Sequence, residues 1–332
     1  MKSSHLPVTT LVCIAIMLAT CCAASLAQTE IPVYDFTGAG DGDFPYGSLV
    51  ADSAGNYFGT TSNGGRYSGA CSPWGCGVVF EISPNGSGGW TEKTIYRFRG
   101  EPDGAEPSGN LVFDSKGNLY GTTAAGGKGG ETCGIDIFGC GTVFKLSPTK
   151  SGYWIESLIY IASAGGTATN PEGLAFDSAG NLYGTLFSRQ ANCPVYDCGY
   201  VFKLTPSNSG TWQYSVVAAF DGGSEGGGPS GVAIDASGNV FVSTIEGGTG
   251  LCSQDVGCGT VVKLIPNGSQ GYFLQVLYVF SGGSDGGQPF GGLTLDSAGN
   301  LYGAAMVGGN STNCYIGCGT VSRSVLRHRW AT

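Results

Sequence analysis

Along the chain, apolar and alternating runs of four to nine residues are separated by clusters of glycine, asparagine, serine and proline. No helical periodicity of useful length interrupts them, so the pattern predicts strands. Between Gly173 and Phe220 the runs are Gly173–Phe176 (GLAF), Asn181–Leu186 (NLYGTL), Gly199–Leu204 (GYVFKL) and Trp212–Phe220 (WQYSVVAAF), read here as strands a, b, c and d. The same order returns along the chain. DSAGNLYGT at Asp177 has copies at Asp52 (DSAGNYFGT), Asp114 (DSKGNLYGT), Asp235 (DASGNVFVS) and Asp296 (DSAGNLYGA), at separations of 62, 63, 58 and 61 residues. A period of this length holding four strands is the signature of one propeller blade. The expected fold is therefore all-β: a β-propeller of five four-stranded blades.

The turns and faces agree with that expectation. Strand a is apolar on both faces (LVA at Leu49, LVF at Leu111, LAF at Leu174, VAI at Val232, LTL at Leu293), as expected of a strand buried between neighbouring blades. Strand d, with Trp90, Trp154 and Trp212 near its start and polar neighbours, suits the outer edge. Between a and b the motif aspartate can accept backbone N–H bonds, and Gly180 and its equivalents supply positive φ. Prolines 84, 148, 206 and 266 end strand c. Residues Ile31–Phe36 (IPVYDF) match the end of strand d, whereas the last unit supplies only a, b and c. The N-terminal strand is thus expected to complete the last blade and close the ring.

The first 27 residues read as a signal peptide: Lys2, an apolar core from Leu11, and Ser25-Leu26-Ala27 before Gln28. A secreted, extracellular or periplasmic protein is expected, with no membrane span. The propeller is assigned to residues 28–321 as one domain, leaving an atypical basic tail at 322–332 that holds Arg323, Arg327 and Arg329. Of thirteen cysteines, ten fall as one close pair per unit: Cys71/Cys76, Cys133/Cys140, Cys193/Cys198, Cys252/Cys258 and Cys314/Cys318. Local pairing in an exported chain predicts five disulfides. Each closes so small a loop that it stabilises by only about 2 kcal/mol, so the bridges shape loops more than they hold the fold.

A net charge of -9 argues against nucleic acid as a partner. The only histidines are His5 and His328, outside the repeats, which removes imidazole chemistry from the repeat body. Sixty glycines in 332 residues would suggest low complexity, but they sit at fixed turn positions between apolar runs.

The motif P-x-G-L-x-x-D-x-x-G-N-L-Y-G-T-T followed by G-T-V-F-K-L, seen at Pro107–Thr123 and Gly141–Leu146, resembles the Gloeo/Verruco (GloVer) tandem repeat of exported bacterial proteins. The resemblance spans nearly all of residues 31–321 and implies no activity. PSGVAIDASGNVFVST at Pro229 is more distantly similar to NHL and streptogramin-lyase propellers, but a histidine-dependent lyase site has no residue to occupy here.

Candidate chemistry gathers on the face where the b–c and d–a connections are expected to emerge. The d–a loops carry Asp41, Asp43, Asp103, Glu106, Glu225 and Asp285. These acids are turn formers or, at Asp41, Asp103 and Asp285, candidate calcium ligands; no other cofactor is expected. The cysteine loops carry Trp74, Phe138, Tyr196 and Tyr315, either platforms for a ligand or lids over the blade tops. The five motif aspartates are expected to cap turns on the opposite face, because catalytic groups should break the repeat symmetry and structural ones obey it. The leading expectation is a monomeric, non-enzymatic binding or surface-interaction propeller with a glycan or cell-surface protein as partner, and no catalytic residue is assigned. The alternative is a carbohydrate-active enzyme using a carboxylate pair drawn from the non-repeating acids Asp136, Glu172, Asp197 and Asp255.

Overall fold

In a computed structural model, residues 31–67, 71–127, 139–162, 169–188, 198–250, 252, 257–311, 314 and 317–324 are described. The chain divides into two units, Met1–Asp35 and Phe36–Thr332. The described residues of the first, 31–35, have no regular structure, and every strand belongs to the second.

Five antiparallel sheets follow one another in sequence. Blade 1 is β1 (Asp43–Ala51), β2 (Tyr57–Asn63), β3 (Val78–Pro84) and β4 (Trp90–Arg97). Blade 2 is β5 (Gly104–Phe113), β6 (Leu119–Gly126), β7 (Thr142–Pro148) and β8 (Trp154–Ile161). Blade 3 is β9 (Thr169–Phe176), β10 (Leu182–Ser188), β11 (Cys198–Pro206) and β12 (Trp212–Phe220). Blade 4 is β13 (Gly227–Ile234), β14 (Val240–Glu246), β15 (Thr260–Pro266) and β16 (Tyr272–Val279). In blade 5, β17 (Gly287–Pro289) and β18 (Thr294–Leu295) share the first position, beside β19 (Leu301–Val307) and then β20 (Thr320–Ser324). The protein is thus an all-β propeller of five blades.

Each motif aspartate closes its a–b hairpin. The Asp177 carboxylate accepts from the backbone N–H of Ala179 and Asn181, both at 2.9 Å, and from Asn181 Nδ2 at 2.7 Å. Asp52, Asp114, Asp235 and Asp296 hold the same three kinds of bond. Repetition without variation marks them as structural.

Within a blade, strands b and c meet through a size exchange. Gly59 pairs with Phe80, Gly121 with Phe144 and Gly184 with Phe202. A Cβ on Gly121 would stand 2.4 Å from the tip of the Phe144 ring, and one on Gly184 would stand 2.3 Å from Phe202. Blade 4 solves the same volume differently, pairing Val242 with Val262, both fully buried. Blade 5 retains Gly303 but sets Ser322 opposite, so no ring lies over that glycine. β20 nevertheless continues three residues into what the sequence pattern reads as the tail. There Arg323 lies over the Tyr302 ring at 5.9 Å, as Lys145 lies over Tyr120 at 5.9 Å and Lys203 over Tyr183 at 5.4 Å.

The hydrophobic cores lie between blades. Phe58 and Val79 of blade 1 pack with Leu111, Leu119 and Phe144 of blade 2. Tyr120 and Val143 pack with Leu174 and Phe202, Tyr183 and Val201 with Val232 and Val242, and Phe241 and Val261 with Leu301 and Ala305. Among the described residues no such cluster joins blade 5 to blade 1. Leu49 is 54% exposed where Leu111 is 4%, and Val321 is 84% exposed where Val143 is 0%.

The closing strand expected from Ile31–Phe36 is not formed: residues 31–37 carry no strand, and among the described residues β20 is the outermost strand of blade 5. What remains of the expectation is Phe36, whose ring meets Phe80 edge-on at 5.0 Å. Phe98, at the end of blade 1, meets Phe144 in the same way at 5.1 Å.

Two outcomes follow for urea unfolding. Gly121→Val should lower stability by about 3 kcal/mol through overpacking, and adding Phe144→Val, which copies blade 4, should restore at least half of the loss. A double variant no more stable than the single one would refute the exchange. Leu111→Ala should cost about 2–5 kcal/mol and Leu49→Ala under about 1 kcal/mol; equal costs would show the fifth-to-first seam to be packed.

Candidate functional site

Strand a does more than the sequence pattern suggests. It begins in the d–a loop and runs inward through a bulge, with register shifts between Tyr46 and Val50, Ser108 and Val112, and Pro229 and Val232. The bulge falls at the tripeptide Pro-x-Gly, and its entrance is strained. Phe44, Glu106, Asn170 and Gln288, each just before the proline, have φ of 55°, 54°, 51° and 53°, and Gly228 has 56°. Backbone bonds to the preceding blade hold this turn: the N–H of Glu106 donates to the Cys76 carbonyl (3.1 Å), Asn170 to Cys140 (3.2 Å) and Gln288 to Cys258 (2.7 Å). A bulge re-aims side chains. Here residue x of each tripeptide, namely Tyr46, Ser108, Glu172, Ser230 and Phe290, comes to the inner end of its blade.

The glycine of the tripeptide permits close approach of neighbouring blades. A Cβ on Gly109 would lie 2.6 Å from the Glu172 carbonyl oxygen, and one on Gly173 2.5 Å from that of Ser230. Side chains then tie strand to strand. Asn110 Nδ2 donates to the Leu174 carbonyl at 3.0 Å and its Oδ1 accepts from Leu174 N–H at 2.9 Å. Ser230 Oγ donates to the Pro289 carbonyl at 3.0 Å, and Ser108 Oγ to that of Pro171 at 3.4 Å.

These strands enclose an axial recess of about 340 Å³ lined by Tyr46, Ser48, Asn110, Glu172, Ser230 and Phe290 together with Ala304 and glycines 47, 109, 173, 291 and 292. It continues into a wider mouth of about 530 Å³ bordered by Asn170, Phe187, Ile245, Gln288 and Met306. The Tyr46 and Phe290 rings stand edge to face at 6.2 Å. Glu172 is the one carboxylate among the described lining residues. Protein surrounds it closely while its tip stays open to the recess, and burial pushes its carboxyl up to about 7. Burial, and then the charge of Glu172, pushes the Tyr46 phenol up to about 12. The site therefore offers one acid poised near neutrality between aromatic walls.

A second recess, about 600 Å³, opens between blades 2 and 3 at the hairpin end, with Trp212, Tyr120, Lys145, Asp114 and Asp177 on its walls. Its carboxylates are spent on the hairpin caps, and its aromatic residues are parts of the repeating interface.

The residues singled out from sequence fall in several places. Asp41 accepts from Thr37 N–H (2.9 Å), Thr37 Oγ1 (2.6 Å) and Ala39 N–H (3.3 Å). Buried Asp103 accepts from Tyr96 Oη (2.9 Å), Arg99 N–H (3.2 Å), Arg99 Nε (3.0 Å) and Gly104 N–H (2.9 Å). Asp285 accepts from Tyr278 Oη and Ser281 N–H, both 2.9 Å, and from Ser281 Oγ. Each closes its own d–a loop, and among the described residues no three His, Cys, Asp or Glu side chains gather as a metal site. The disulfides Cys71–Cys76, Cys252–Cys258 and Cys314–Cys318 are formed, and Cys140 and Cys198 are bonded, with Cys133 and Cys193 outside the described residues. Trp74 is 70% exposed. Phe138, Tyr196 and Tyr315 lie outside the described residues, as do Asp136, Asp197 and Asp255. Of the four non-repeating acids only Glu172 can be placed, and it is at the axis. Tyr46 and Phe290 were not selected from the sequence, although the rule that functional groups break the repeat symmetry, applied to residue x of Pro-x-Gly, would have found them.

The raised carboxyl of Glu172 has a consequence for stability. The folded state holds this proton more tightly than the unfolded chain, whose carboxyl titrates near 4.5, so its contribution to stability falls as pH rises from about 4.5 to about 7. Glu172→Gln should therefore gain stability relative to the parent across that window in denaturant titrations. A difference independent of pH would show the carboxylate to be solvated.

A family model described as the Gloeobacter/Verrucomicrobia repeat matches residues 132–328. No curated protein matches the sequence. Among solved structures, a luciferin-regenerating enzyme is similar at 15% identity and a TM-score of 0.50, over 86% of this chain and 92% of that one. A gluconolactonase from Xanthomonas campestris is similar at 14% identity and a TM-score of 0.43, over 77% and 67%. A Bombyx mori GH32 β-fructofuranosidase is similar at 13% identity and a TM-score of 0.47, over 84% of this chain and 59% of that one. At such identities the likeness is one of fold.

Proposed function

Since the chain belongs to the Gloeobacter/Verrucomicrobia repeat family, we propose that it is an exported, non-catalytic binding propeller that takes its ligand in the axial recess. The observation that carries this reading is the broken symmetry at the axis. Five units obey the repeat at the hairpin caps, yet at residue x of Pro-x-Gly they carry tyrosine, serine, glutamate, serine and phenylalanine, of which all but Ser108 line the recess. Ser108 and Ser230 bond to the next blade, but blade packing gives Tyr46, Glu172 and Phe290 no such task among the described residues, whereas recognition does. The per-unit disulfides support an oxidising compartment outside the cytosol, in keeping with the leader. A ligand carried on a surface glycan or protein would reach the recess through its mouth.

The second reading is a carbohydrate-active enzyme, and it draws on Glu172, whose carboxyl stands near neutrality as a general acid requires. It needs a second carboxylate about 5–9 Å away, and the sequence candidates for it, Asp136, Asp197 and Asp255, lie outside the described residues.

The test is a polysaccharide and small-metabolite binding screen on the mature chain, with and without calcium, with hydrolysis products read from the same samples. Binding without turnover, weakened at least about tenfold by Tyr46→Ala with Phe290→Ala, is the expected result. Turnover would transfer the reading to the enzyme, and binding indifferent to both substitutions would remove it from the axis.

A further inference from the structure

We propose that the axial recess selects an organic cation, an amine or quaternary ammonium group on a compact flat apolar body, with Glu172 as the counter-charge and the Tyr46 and Phe290 rings against that body. This rests on the reading that the recess is the ligand site and adds the chemical class of what enters.

The polar inventory of the recess decides the class. A neutral sugar needs several convergent donors and acceptors, but of the inner polar side chains Asn110 and Ser230 are already committed, which leaves Ser48 and Glu172. Asn110 makes both of its bonds to Leu174, and Ser230 donates to Pro289. Glu172 is different, for burial sets its carboxyl, and among the described residues no hydrogen bond and no basic side chain acts on it. Neither the recess nor its mouth has a lysine, arginine or histidine among the described lining residues. A desolvated carboxylate without a partner is costly, and either a proton or a bound cation relieves that cost. Tyr46 is the titratable group that faces it, and its phenol stays protonated across the physiological range. An anionic ligand would meet a negative charge with nothing to offset it.

The walls supply the rest of the selection. Tyr46 and Phe290 stand edge to face at 6.2 Å, with Phe187 at the mouth. Aromatic faces attract ammonium groups, most strongly where water is excluded. The protein's net charge of -9 adds a field that concentrates cations. A recess of about 340 Å³ is at the small end of ligand sites, enough for one ring bearing a charged group.

Benzylamine and benzyl alcohol, alike in shape and different in charge, are the probes, titrated by calorimetry into the mature chain at about pH 8 and about pH 5.5. The amine stays an ammonium ion at both values, so the pH change acts through Glu172. We expect the amine to bind at least about tenfold more tightly than the alcohol at the higher pH. The preference should shrink at the lower pH and vanish in Glu172→Gln, a variant of nearly unchanged shape whose fold is checked by its unfolding transition. Equal affinity for the two probes, a preference that survives Glu172→Gln, or no binding of the amine would overturn the cation assignment. If Tyr46→Ala with Phe290→Ala abolishes binding of both probes while they bind the parent equally, the recess remains the ligand site and only the cation assignment fails. If both probes bind and no substitution matters, the axial reading fails as well.

Discussion

A phenyl ring laid across a glycine on the neighbouring strand is the contact from which the blades are built. Because Phe144 reaches over Gly121, and Phe202 over Gly184, the ring sits flush with the sheet and becomes part of the surface offered to the preceding blade. Strand a then lies against that surface with Leu111 or Leu174, and the next blade is set at a fixed spacing. Blade 4 shows that volume is the constraint, since two valines satisfy it. Core packing here is a property of the interface between successive units, as in other repeat proteins, where each unit buries its face only on a neighbour.

At the axis the constraint changes from volume to backbone approach. The glycine after residue x lets carbonyl oxygens of adjacent inner strands come close, and hydroxyl and amide side chains bridge them. Ser108 and Ser230 take part in this lattice as residue x of their units, which leaves Tyr46, Glu172 and Phe290 as the x residues outside it. The disulfide loops serve the same end, because the second cysteine of a unit accepts the N–H of the strained residue that opens the next inner strand. Local strain of this kind persists when the surroundings over-determine it. It directs Tyr46, Glu172 and Phe290 to a common space.

The seam between the last and first blades completes the picture. Four interfaces carry cores, whereas Leu49 and Val321 face solvent at the fifth, and the Tyr46–Phe290 contact near the axis spans it. The wall of the recess is thus assembled from both ends of the repeat series. Two of its three distinctive side chains sit beside the least packed part of the propeller, which suits a site that must admit a ligand.

Most of the blade architecture was legible in the sequence because it is local and repeated. The Asp177-type cap, the glycine at positive φ after it, the prolines ending strand c and the close cysteine pairs each act within a few residues, so periodicity alone exposed them. Three things were decided only by the tertiary structure. Whether Ile31–Phe36 forms a strand depended on pairing between opposite ends of the chain, a long-range condition that no local pattern encodes. The extension of strand a into Pro-x-Gly depended on hydrogen bonds from the preceding blade. The recess depended on Tyr46, Glu172, Ser230 and Phe290, from four different units, meeting at one axis, and the neutral-range carboxyl of Glu172 depended on the burial that follows. The sequence by itself determined the repeating unit, because local hydrogen bonds and turn geometry do; the site came from the ring, because only the ring brings the variable residues together.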